Sequence, residues 1–108
     1  MKKKFIGNAF SIQMLQCNSK IQFYKISPEI VAIWMKEEEY VWAIGHQDTS
    51  RLVSSILGLV PKDANRIDVK LNTGDQLVVA QFTGGRLPEG CTTLPEGCKL
   101  EFWVADVT

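Results

Sequence analysis

The chain has 108 residues, 45% hydrophobic and 22% charged, with twelve basic and twelve acidic side chains that cancel. That length suits one domain with a modest core. The charge balance argues against a coat protein for long nucleic acid, which carries a basic excess, and no apolar run approaches a membrane-spanning length.

Lys4 to Gly7 reads as a short first strand, and Ser11 to Leu15 as a short helix or turn. Ile21 to Ile26 alternates apolar and polar residues and predicts a second strand. Ser27-Pro28-Glu29 is a helix start, with a serine cap and proline at the first helical position. That helix is expected to run to about Met35, and Glu37, Glu38 and Glu39 to form a solvated turn. Tyr40 to Ile44 predicts the next strand, ending in Gly45-His46. Asp48 and Thr49 are N-cap residues for a helix over Thr49 to Leu59. Leu52, Val53, Ile56, Leu57 and Val60 form its apolar stripe.

Arg66 to Leu71 alternates through Ile67, Val69 and Leu71, which predicts a strand. Asn72-Thr73-Gly74-Asp75 then predicts a turn, and Gln76 to Thr83 a strand that closes a hairpin. Gly84-Gly85 opens a flexible stretch containing Leu-Pro-Glu-Gly-Cys twice, at 87–91 and 94–98. Lys99 to Val107 is the last strand. The expected fold is α/β or α+β: one domain over 1–108, with a mixed sheet of about five strands flanked by short helices.

Three cysteines (Cys17, Cys91 and Cys98) are odd in number, which argues against a full disulfide framework, and they lack the paired spacing of a zinc site; a Cys91–Cys98 disulfide is geometrically open but disfavoured in a reducing compartment. No stretch of signal-peptide length follows the basic start, so a cytoplasmic location is expected. Trp34, Trp42 and Trp103 sit in apolar patterns and suit core or dimer contacts. No glycine pattern matches a P-loop or a dinucleotide fingerprint.

The one histidine, His46, lies at a strand-to-helix junction, where free backbone N–H groups favour an anion. Imidazole is also the side chain suited to moving a proton near neutral pH. Arg66 and Arg86 offer bidentate phosphate contacts. Asn8, Ser11, Thr49, Ser50 and Gln81 are polar residues at or near element ends. The two glycines would let a loop bearing Arg86 and Glu89 fold over a ligand. Each residue also has an ordinary role: a carbonyl-bonded histidine, helix caps at Thr49 and Ser50, solvated loop charges. Nothing in the residue types alone decides between these.

Four blocks, in order, resemble the ring nuclease family of archaeal viruses and mobile elements, which acts as a type III anti-CRISPR. They are Gly7 to Leu15, Ala43 to His46 with Asp48 to Ser50, Asn65 to Lys70, and Arg86 to Gly90. The resemblance implies a homodimer that takes cyclic tetra-adenylate and cleaves it to linear di-adenylates with 2′,3′-cyclic phosphates, without metal or cofactor. It implies His46 and Glu89 as catalytic residues. Asn8, Ser11, Thr49, Ser50, Arg66, Gln81 and Arg86 are then substrate-binding. A protein that sequesters the same ligand without cleaving it, or a nucleic-acid-binding regulator, are the alternatives. The chain departs from the family pattern after Gly90, where only Cys91 to Cys98 precede the last strand in place of a further helix. Glu96 in the duplicated turn rivals Glu89, which is preferred because it follows Arg86 at the matching spacing.

Overall fold

Residues 76–83 and 99–107, both rich in apolar side chains, pair antiparallel from Gln76 with Asp106 to Thr83 with Lys99. The computed structural model describes residues 2–84, 90 and 93–108. Among them the strands are β1 (Lys4–Gly7), β2 (Ile21–Ile26), β3 (Val41–Trp42), β4 (Gln76–Thr83) and β5 (Lys99–Val107). They form one sheet in the order β2-β5-β4-β1-β3. β1 pairs parallel with both β3 and β4, while β5 runs antiparallel to β4 and β2. Four strands therefore point one way and β5 points back.

β4 is central and covered on both faces, which is why Leu77, Val78, Val79 and Ala80 form an unbroken apolar run rather than an alternating one. On one face Ile6, Val78, Ala80, Phe102 and Val104 pack with residues of two helices, α1 (Pro28–Glu37) and α2 (Gln47–Ile56). On the other face Phe5, Leu77, Val79, Ala105 and Val107 pack under Val69 and Leu71.

Those last two contacts correct the expected hairpin. Residues 66–70 form no strand, and Leu71 makes only an isolated bridge to Leu15. The two edges of β4 are already taken by β1 and β5, so the segment has no edge of β4 to pair with. Its alternation instead records an extended chain lying across the sheet. Val69 and Leu71 point inward, while Ile67 is 41% exposed. The turn at 72–75 forms as expected, with the Asp75 N–H donating to Asn72 O at 2.9 Å. The Asp75 carboxylate accepts from the Asn72 and Lys3 N–H groups at 2.8 and 3.0 Å.

The helices also shift slightly. Ser27 caps α1 through the Ile30 N–H, and Glu37 is helical rather than part of a turn. α2 begins at Gln47, two residues before Thr49, and ends at Ile56. Gly58 at φ +67° turns the chain away. Val60 therefore leaves the apolar stripe and is 83% exposed. β3 covers only Val41–Trp42, although the Ala43 N–H still donates to Ile6 O at 2.7 Å.

Candidate functional site

β1, β3 and β4 point their C-terminal ends to one side of the sheet. β1 lies where the strand order switches, with its neighbours reached from opposite directions. The crevice outside such a switch point is the usual ligand position in open α/β sheets. Asn8 leaves β1 there and is half-buried. Gln81 lies two residues beyond Val79, the β4 partner of Gly7, and is exposed. Among the described residues its amide meets only the neighbouring Phe82 carbonyl, at 3.4 Å.

His46 follows β3, the edge strand at this end of the sheet. It is the N-cap of α2, with extended backbone (φ −110°, ψ 127°), and its side chain makes no capping bond. The imidazole is exposed and has no hydrogen-bond partner among the described residues. Its carbonyl accepts from the Ser50 N–H at 2.9 Å, so the helix is closed by backbone alone. Among the described residues the first N–H groups of α2 have no partner, and they stand beside an unbonded imidazole, a combination that suits an anion needing a proton.

Arg66 reaches the same junction from the irregular segment. Its Nε–H donates to Gly45 O at 2.9 Å. The two terminal guanidinium nitrogens have no partner among the described residues, and the residue is exposed. A Cβ on Gly45 would stand 3.1 Å from Arg66 Cγ, so glycine is what lets the arginine stem lie against this turn. Asn65 secures the approach: its Nδ2 donates to Trp42 O at 2.6 Å, and its N–H to Ile44 O at 2.9 Å.

Thr49 sits half-buried in the first turn of α2, and its hydroxyl has no hydrogen-bond partner among the described residues. Asp48, also in that turn, accepts from the Gly90 N–H at 3.3 Å, which brings Gly90 to the helix start. Arg86 and Glu89 lie outside the described residues. Glu96 is exposed in the turn that precedes β5.

Two expected pocket residues are otherwise engaged. Ser50 is fully buried, accepts from Trp42 Nε1 at 2.8 Å and donates to Lys62 O at 2.7 Å. It holds the inside of the helix and lines no surface. Ser11 is exposed, and its hydroxyl caps the short 3-10 turn at Ile12–Met14 by accepting from the Gln13 N–H.

Gln47 and Asp63 were not among the expected site residues. Gln47 Nε2 donates to Asp63 Oδ1 at 2.9 Å, and Arg51 pairs with the same oxygen at 2.6 Å. Those bonds, Gln47 first, hold the Asp63 carboxyl below the ordinary carboxylate range. The signal was present as a polar stripe on α2, hidden because the apolar stripe dominates a helix reading.

Comparison with known proteins follows the same architecture. B116 of Sulfolobus turreted icosahedral virus superposes with a TM-score of 0.79 at 30% identity, over 96% of this chain and 98% of that one. The uncharacterized protein ORF116 of Acidianus filamentous virus 1 is 33% identical over 111 residues, or 95% of this chain and 94% of that protein. A family model described as STIV B116-like matches residues 4–99. The chain thus belongs to the STIV B116-like family, whose members named here are archaeal virus proteins.

Proposed function

We propose that the protein is a ring nuclease that cleaves cyclic tetra-adenylate and so counteracts type III CRISPR signalling. The observation that carries the reading is His46: an imidazole with no hydrogen-bond partner among the described residues, at a helix N-terminus, one residue after the Gly45 carbonyl that Arg66 Nε meets. The resemblance of four sequence blocks to the ring nucleases supports the reading, as does the family's viral setting.

The reaction asks little of the protein in covalent terms. The ligand's ribose 2′-oxygen attacks the adjacent phosphorus, and its proton passes to solvent water. The bond from phosphorus to the 5′-oxygen breaks, and His46 protonates the departing oxygen. Arg66, Arg86 and the open N–H groups of α2 stabilise the charge on phosphorus. Asn8, Thr49 and Gln81 hold the ring so that attacking and leaving oxygens lie in line. Glu89 supports this alignment. No metal is needed, because the nucleophile belongs to the ligand. A two-fold homodimer facing a cyclic tetranucleotide presents two equivalent scissile bonds and yields two di-adenylates.

The test incubates purified protein with radiolabelled cyclic tetra-adenylate in EDTA. Linear di-adenylate bearing a cyclic phosphate is the expected product. His46→Ala should lose at least ~100-fold in turnover, the range for a proton donor, and keep its affinity for the ring. Uncut ligand that stays bound to the wild-type protein would favour sequestration. Uncut and unbound ligand would remove the reading altogether.

A further inference from the structure

Gln47, Ser50, Arg51 and Ser54 recur at helical spacing along α2, and each ends on residues 62–64. Ser50 Oγ donates to Lys62 O, and Ser54 Oγ accepts from the Lys62 N–H at 3.0 Å. Arg51 pairs with Asp63. Gln47 makes two of the bonds: its Nε2 reaches Asp63 Oδ1, and its Oε1 accepts from the Ala64 N–H at 2.8 Å. Residues 62–64 are thereby fastened to the helix although they form no regular structure. Two residues later, Arg66 lands on Gly45 O.

We propose that Gln47 is a positioning residue for Arg66, setting where the guanidinium presents its free donors beside His46. Gln47 is the first residue of α2 and the sequence neighbour of His46, so one amide couples the histidine's helix turn to the arginine's segment. An unfastened, exposed arginine would have to be ordered by each ligand it met. Ordering it beforehand removes that cost from binding. The proposal rests on the ring nuclease reading only for the identity of the anion, not for the arrangement of the arginine.

The test is Gln47→Ala, with Asp63→Ala as a second variant that removes one of the two Gln47 bonds together with the Arg51 pair and leaves the Ala64 N–H bond in place; both positions are exposed. The Arg66 Nε–H signal, followed by nitrogen-15 NMR, should shift and exchange faster with water in both variants. Gln47→Ala should lower kcat/KM for cyclic tetra-adenylate about tenfold, mainly through KM, as expected for a coupled neighbour. In an Arg66→Ala background the same change should cost less than about twofold, because the partner it acts through is gone. An unchanged Arg66 signal, or equal losses in both backgrounds, would overturn the proposal. If the wild-type protein does not cleave the ring, the proposed function falls, and the Arg66 signal alone still decides whether Gln47 positions it.

Discussion

Replacing Ser50 by alanine separates a buried structural hydroxyl from a ligand contact. The hydroxyl is fully buried and serves one donor, Trp42 Nε1 at 2.8 Å, and one acceptor, Lys62 O at 2.7 Å. Removing it strands both groups. An unsatisfied buried polar group costs about 1–3 kcal/mol. Both partners are only partly buried, which places each near the low end and the sum at about 2–3 kcal/mol. Alanine's better helix propensity returns roughly 0.5 kcal/mol. The net loss is about 2 kcal/mol, a large share of the stability of a small domain, and corresponds to a fall in Tm of about 10 °C. Urea unfolding followed by tryptophan fluorescence reads it directly, since Trp42 is one of the partners. The midpoint should fall with an unchanged slope. Thr49→Ala, one residue away and with no hydrogen-bond partner for its hydroxyl among the described residues, should change stability by less than about 0.5 kcal/mol. A Ser50→Ala variant as stable as Thr49→Ala would refute the packing account.

Leu71→Ala should cost about 3 kcal/mol, as for other fully buried leucines, and Ile67→Ala, at a position 41% exposed, less than about 1 kcal/mol. Similar losses at the two sites, measured by denaturation, would mean the segment does not lie on the sheet as described. Burial first, and then the Glu38 charge, push the Tyr40 phenol up from 10 to about 12. The folded state thus favours the neutral phenol. This contribution is fully present below the unfolded value of 10 and is lost as pH rises through about 12. Tyr40→Phe should flatten stability across that window while losing about 1 kcal/mol at neutral pH with the bond to Gln76 Oε1. Tyrosinate absorbance rising near 10 for Tyr40 would contradict the burial argument.

Much of the frame was legible because local chemistry and tertiary packing agree. Ser27-Pro28 starts a helix wherever its apolar face finds a sheet, and it does so here. The strands at 4–7, 21–26, 76–83 and 99–107 have the expected bounds, since their patterns match both strand propensity and burial. Arg66 to Leu71 misled for a definite reason. Period-two alternation reports an extended chain with one buried side, and a chain laid across a sheet satisfies that without pairing. Ser50 misled because hydroxyls at a helix start serve ligands, caps and buried carbonyls alike, and only burial separates these uses.

The residues alone determined a small mixed domain with a histidine and a helix start at one junction. Those features depend on short-range rules of capping and periodicity, which a few neighbouring residues decide. The tertiary structure decided which residues share that junction. Arg66 stands twenty positions from His46 in sequence, yet its Nε meets the carbonyl of the residue just before it. That meeting depends on Gln47, Asp63 and Asn65, whose bonds span up to 23 positions. Contacts of that range follow from how α2 packs on the sheet, because the helix must be seated before its polar stripe can take hold of residues 62–64.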